Sequence, residues 1–137
     1  MERYERKGPD HYKLRMVTEA NRVYVARDTW FAFKETPNGY WLLPERWLGW
    51  GCRASIDKEK RFITKNGGRQ WAYSNWDRAL ASFKIRCERR LLWIKETQLA
   101  LDALLNEEAW AKITPENIRG HNTPITEYES EVNWIDY

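Results

Sequence analysis

The sequence predicts an α+β domain: a largely antiparallel, twisted sheet of five to seven short strands packed on one long helix in the C-terminal half, followed by a short helix and an acidic tail. Three observations carry this prediction. Residues up to Tyr73 alternate with period two and are punctuated by hairpin turns. From Trp76 the apolar period changes to three and four, and no glycine or proline interrupts residues 76–113. The chain has 137 residues, 42% apolar and 31% charged, the profile of one globular domain.

The elements follow in order. Residues 1–10 are polar and are expected to form a flexible N-terminus, with residues 11–137 as a single domain. Leu14 and Met16 alternate with Lys13 and Arg15, and Val23 and Val25 with Arg22, Tyr24 and Ala26, as half-buried strands do. Trp30 to Lys34 and Tyr40 to Leu43 flank Thr36-Pro37-Asn38-Gly39. Proline presets φ there and Gly39 offers a left-handed position, so a hairpin is predicted. Pro44 ends its second strand. Trp50, Cys52, Ala54 and Ile56 predict a further strand. Arg61 to Thr64 and Arg69 to Tyr73, joined through Asn66-Gly67-Gly68, predict a second hairpin. The β-rich part thus spans 11–73.

Ser74 or Asn75 supplies a helix cap, and Asp77 complements the first turn. Trp76, Leu80, Phe83, Cys87, Leu91, Ile94, Leu101 and Leu105 fall on one narrow stripe, interrupted at Gln98. They are read as the buried face of a helix over 75–108, with a break near Asn106 allowed. Thr114-Pro115 opens a short helix over 114–120, stopped by Gly120. Residues 121–137 are acidic but carry Ile125, Tyr128, Val132, Trp134 and Ile135, which favours docking on the chain's own basic helix face over a solvated tail.

Charge is divided along the chain. Residues 1–95 hold 21 Lys/Arg against 11 Asp/Glu, and residues 96–137 hold 2 against 9, within a net charge of +3. No apolar run reaches the length of a membrane span, and the charged start has no apolar segment behind it, so a membrane partner and a signal peptide are not expected. Cys52 and Cys87 fall on apolar stripes and are read as buried small hydrophobes, while His11 and His121 lie in the presumed frayed start and a loop. These four residues contain no close pair of metal ligands, and no nucleophile or phosphate-loop motif is present. Neither a metal, nor a cofactor, nor catalysis is expected.

The candidate site is a binding surface. Arg78, Arg86, Arg89 and Trp93 project from the helix away from the apolar stripe, with Arg90 at its border. Guanidinium forks pair with carboxylate or phosphate, and an indole offers a stacking plane. Trp41, Trp47 and Trp50, the last two within Trp47-Leu48-Gly49-Trp50-Gly51, form a second candidate contact, with core packing as the competing reading. Arg53, Lys58, Lys60, Arg61, Lys65 and Arg69 are candidate phosphate contacts. Leu92 and Leu99, seven residues apart and outside the main stripe, are a candidate dimer seed.

Residues 71–105 read Trp71-Ala72-Tyr73, a cap, then Ala79-Leu80-x-Ser82-Phe83-x-x-Arg86-x-x-Arg89, followed by Leu92 and Gln98-Leu99. This segment, about a quarter of the chain, resembles the closing strand and long helix of small uncharacterised proteins encoded by bacteriophages and prophages. Here Cys87 and Glu88 stand in a stretch that is usually more basic, and the acidic tail is not part of the pattern. The resemblance transfers no catalytic residue. It implies a small protein in the cytoplasm of a bacterial host cell, acting on host machinery. The expected function is therefore a non-enzymatic, phage-type accessory factor that binds and modulates a host nucleic-acid-handling or defence complex, with inhibition favoured over activation. Direct binding of DNA or RNA, and a dimeric interaction module, are the alternatives.

Overall fold

Phe31-Ala32 and Leu42-Leu43 are fully buried neighbours on two adjacent strands, so their side chains need cover on both faces of a sheet. The computed structural model describes residues 2–131. It is an α+β fold with the strands β1 Glu2–Tyr4, β2 His11–Glu19, β3 Arg22–Thr36, β4 Gly39–Pro44, β5 Gly49–Gly51 and β6 Arg61–Thr64. The helices are α1 Arg53–Glu59, α2 Trp76–Leu104 and α3 Glu107–Ala111, with a 3-10 turn at Glu45–Trp47. One antiparallel sheet has the order β2-β3-β4-β6, and β1 pairs with β5 in a second. The chain divides into two compact units, residues 1–85 and 86–137.

In the first unit, Tyr4, Phe31, Leu43 and Ile56 form one buried cluster, with Phe33 and Trp47 against it. Ala32, Leu42, Ile63 and Ala72 form another, flanked by Trp30, Tyr40 and Trp71. Strand alternation places these clusters on opposite faces of β3–β4. Full burial of each large aliphatic or aromatic side chain contributes about 1.5–3 kcal/mol, which makes these strands the stable centre of the unit. A bulge between Ala32 and Lys34 shifts the register of β3 against β4.

The predicted first hairpin is present, but β3 is one strand of 15 residues rather than two short ones. Its first half pairs only with β2, forming a two-stranded ribbon whose turn is Ala20-Asn21, both at positive φ (49° and 65°). That backbone suits the strand twist but strains an alanine. Gly39 serves a different purpose from the expected left-handed one. A β-carbon there would run into the Ile63 carbonyl oxygen, so the bare backbone lets β4 approach β6.

Several expectations are corrected. Residues 2–10, expected to be flexible, are held: β1 pairs with β5, Tyr4 is buried, and the Lys7 amide donates to the Ala32 carbonyl at 2.6 Å. His11 is also buried, and its Nδ1 lies 3.0 Å from the Pro9 carbonyl oxygen. The strand expected over 50–56 is split into β5 and α1. Only Ile56 of the expected alternating set is buried, and a helical turn seats it against Phe31 and Leu43 while Ala54 stays exposed. Residues 69–73 do not return along β6. Tyr73 instead bridges Tyr12, through Tyr12 N to Tyr73 O (2.7 Å) and Tyr73 N to Tyr12 O (3.0 Å). Ala72 thereby covers the sheet face that the expected strand would have left open.

Asn75 caps α2 by accepting from the Arg78 amide at 3.0 Å. The helix ends at Leu104 rather than 108, because Asn106 caps α3 by accepting from the Glu108 amide at 3.0 Å. The short helix expected over 114–120 is a single turn: the Ile118 amide donates to the Thr114 carbonyl, and Thr114 Oγ1 accepts from the Asn117 amide. The largest correction concerns the apolar stripe of α2. Trp76, Leu80, Leu91, Ile94, Leu101 and Leu105 are exposed, and so is Cys87; Cys52 is exposed as well. In the first unit, α2 contributes only Ala79 to the buried residues. Val132, Trp134, Ile135 and Asp136 lie outside the described residues.

Two substitutions test this backbone reading. Ala20→Gly relieves the positive φ and is expected to raise stability by about 1 kcal/mol. Gly39→Ala is expected to lower it by about 2 kcal/mol or more through the clash with the Ile63 carbonyl. Urea midpoints of the two variants against the parent check both signs.

Candidate interaction surface

Three groups of residues were expected to form a binding surface, and the structure treats them differently. Arg78 belongs to the first unit and is committed there: its guanidinium donates to the Gly68 carbonyl at 3.1 Å and lies 4.9 Å from the Tyr73 ring centroid. Arg86, Arg89, Arg90 and Trp93 are all in the second unit. Within that unit Arg86 and Arg90 are exposed, Arg89 is half-buried, and Trp93 is 59% exposed. Arg86, Arg90 and Trp93 follow one another at intervals of four and three, which one side of a helix brings together.

The tryptophans separate into packed and open ones. Trp47 packs against the Phe31–Leu43 cluster, and its indole N–H donates to Glu59, which also pairs with Arg46. Trp41 is half-buried beside Phe62, ring centroids 5.3 Å apart, with Lys60 Nζ 5.1 Å from its centroid. Of these two, Trp47 packs on the core, while Trp41 lines a groove. Trp50, on β5 opposite Arg3, is 63% exposed.

Most of the candidate phosphate contacts already have partners in the chain. Lys65 pairs with Glu35 at 2.6 Å, and Lys60 with Asp57 at 3.1 Å. Arg53 stands 3.8 Å from Glu2. Arg61 lies over both Trp30 (5.3 Å) and Trp71 (5.4 Å), whose rings meet edge to face at 4.9 Å. Lys58 and Arg69 are exposed. A groove beside Tyr4 and Trp41 is lined by Arg53 and Lys60 but also by Glu2 and Asp57, so its charge is mixed rather than basic. Among the described residues, no three His, Cys, Asp or Glu side chains gather as metal ligands do.

In the second unit the chain after α3 turns back. Thr123 and Arg119 exchange hydrogen bonds at 2.9 Å, and Lys112 Nζ reaches the Ile125 carbonyl at 3.5 Å. Tyr128 then comes against Glu96, whose carboxylate holds the phenol above its ordinary pKa, chiefly as its hydrogen-bond acceptor. Glu96 itself is buried. Leu92 and Leu99 lie half-buried on this side of the helix.

Sequence reasoning missed the exposed side of this unit. Leu91, Ile94, Leu101 and Leu105 were assigned to a core, yet all are at least half exposed, and Trp110 on α3 is 53% exposed. Periodicity marks a face that must be covered and is silent about what covers it. No helix among the described residues is long and apolar enough to cross a membrane. Comparison with known proteins finds no matching family model, no similar curated protein and no similar solved structure.

The packed role assigned to Trp47 has a pH signature. The Trp47 indole, and then Arg46, hold the Glu59 carboxyl below its ordinary pKa, so its ionised form is favoured in the folded state. The resulting stability is present above the unfolded carboxylate pKa and is lost as pH falls through the lower folded value. Glu59→Gln is therefore expected to lower the urea midpoint at pH 7 and to differ little from the parent at pH ~3. A constant difference across that range would remove this role.

Proposed function

We propose that the chain is a non-enzymatic binding protein that works through protein–protein contacts. The observation that carries this reading is Trp93, more than half exposed on the same helix as exposed Arg86 and Arg90. Trp and Arg dominate interface hot spots, because each offers a large rigid contact area together with directed hydrogen-bond donors. Trp50 adds a second open indole on the first unit.

The context of the partner rests on the phage resemblance of residues 71–105. On that basis the partner is a host nucleic-acid-handling or defence complex in a bacterial cytoplasm, and the effect of binding is inhibition. Direct nucleic-acid binding is the weaker reading. Lys60 and Lys65 are paired with carboxylates of the chain and Arg61 lies on two indoles, so phosphate would have to displace contacts already made.

The test is capture from bacterial lysate by tagged full-length protein, with and without nuclease, beside a Trp93→Ala/Arg90→Glu variant. A discrete protein that survives nuclease, binds at moderate salt and falls at least about tenfold with the variant is the expected outcome. Nucleic acid recovered with a steep loss between about 50 and 200 mM salt would replace this reading by the phosphate-binding one.

A further inference from the structure

The first half of β3 has one neighbour where its second half has two. Residues 22–29 pair with β2 alone, and β4 takes up the other edge of β3 only from Trp30, opposite Pro44. The register shows which groups that open edge presents. Tyr12 turns its amide and carbonyl away from β3 to Tyr73, so the β2 residues bonded to β3 are Lys13, Arg15, Val17 and Glu19. Their partners Asp28, Ala26, Tyr24 and Arg22 point inward, and the N–H and C=O groups of Val23, Val25 and Arg27 point out along the free edge. Among the described residues nothing bonds to these outward groups. An edge of this length is usually blunted by proline, lysine, a bulge or a covering segment. Residues 22–28 hold neither proline nor lysine, and their register with β2 is unbroken. Val23 and Val25 are 69% and 57% exposed, and Met16 beside Val25 is exposed as well.

We propose that this edge is a homodimer interface in which β3 pairs antiparallel with β3 of a second copy about a two-fold axis at Val25. The main chain and the two ends of the edge choose the occupant and its register. The open stretch is bounded by Pro44 at one end and by the Ala20-Asn21 turn at the other. A second copy carries the same stretch between the same bounds, so the two fill each other with neither overhang nor collision. Outward residues bond only to outward residues, so the axis falls on a residue. At Val25, the two Val25 residues exchange N–H···O=C bonds, and Val23 exchanges them with the partner's Arg27. Pro44 then comes level with the partner's Ala20, past the end of its strand. Moving the axis to Ala26 drives the partner's Arg22 into the place beside Trp30 that Pro44 holds. Moving it to Tyr24 sets Arg27 and Asp28 against the partner's turn, where no strand pairs. The charged residues of the edge are Arg22, Arg27 and Asp28, and none meets a like charge in this register. Asp28 already pairs with Arg15 at 3.0 Å and Arg27 lies over Tyr12, so the register rests on the main chain rather than on charge. The edge lies wholly in the first unit, and this dimer stands or falls independently of the Trp93 contact.

The experiment uses the full chain with Cys52→Ser and Cys87→Ser as background, both thiols being exposed. Sedimentation equilibrium is expected to show a dimer. Val25→Lys and Val25→Glu should each weaken it about tenfold through like charges across the axis, and an equimolar mixture of the two should restore it to within about threefold. In hydrogen exchange the Val23, Val25 and Arg27 amides should be slow in the dimer and fast on dilution, while those of Tyr24 and Ala26 stay slow in both. Val25→Cys should give a disulfide-linked dimer under mild oxidant, since α-carbons opposed across the axis stand ~5.5 Å apart. Arg22→Cys should not, its two copies lying ~20 Å apart along the strands. Crosslinking through position 22 with none through position 25 would overturn the register. A monomer at about 10⁻⁴ M, or a charge mixture no better than either variant alone, would overturn the second copy as occupant, whatever foreign strand the edge then accepts.

Discussion

Two adjacent strands with consecutive buried residues set the terms for the first unit. Phe31 and Leu43 face one way, Ala32 and Leu42 the other, and none of the four retains solvent contact. A two-sided strand pair needs two covers. Ile56 from α1 and Tyr4 from β1 close one side, and Ile63 with the Trp71–Ala72 segment closes the other. This explains why a short helix replaces the expected strand after β5, and why Tyr73 bridges Tyr12 rather than extending a hairpin. The rim is sealed by rings and cations: Arg61 on Trp30 and Trp71, Lys60 on Trp41, Lys65 on Tyr40. Cation–π contacts of this kind contribute about 0.5–1 kcal/mol each at exposed sites. They account for much of the aromatic and basic excess of the chain without invoking a ligand.

That economy has a functional consequence. Local segments complete both clusters of the first unit. The second unit is organised the opposite way to a core-forming helix. The chain's own return past Tyr128 occupies part of its more polar side, while its aliphatic side faces solvent. Exposed aliphatic residues on the same helix as the exposed Trp93 fit the protein-contact reading proposed above.

Much of the local structure is legible in the sequence, because it rests on interactions between near neighbours. The β3–β4 hairpin follows from Thr36-Pro37-Asn38-Gly39, and the start of α2 from Asn75 and Asp77. The break at Asn106 follows from its capping side chain. Among the site residues, the placement of Trp93, Arg86 and Arg90 on one helix was readable from spacing. The diversion of Arg78 to Gly68 and Tyr73 was not, since it depends on where residues 68–73 run.

Fold class, the order of strands and helices over most of the chain, and which helix faces are apolar can all be read from the residues alone. Propensity, capping and turn chemistry act over a few positions, and they are written in the chain. Which apolar residues are buried is a different matter, settled by tertiary packing. Cys52 and Ile56 carry the same alternating signal, yet Cys52 is exposed and Ile56 is enclosed. Leu42 and Ile94 each sit on a clear apolar period, yet Leu42 is enclosed and Ile94 is 55% exposed. Burial is a property of how distant segments share a limited volume. β1, α1 and the Trp71–Tyr73 segment fill the space over the sheet and close both clusters, while Leu91, Ile94, Leu101 and Leu105 are exposed.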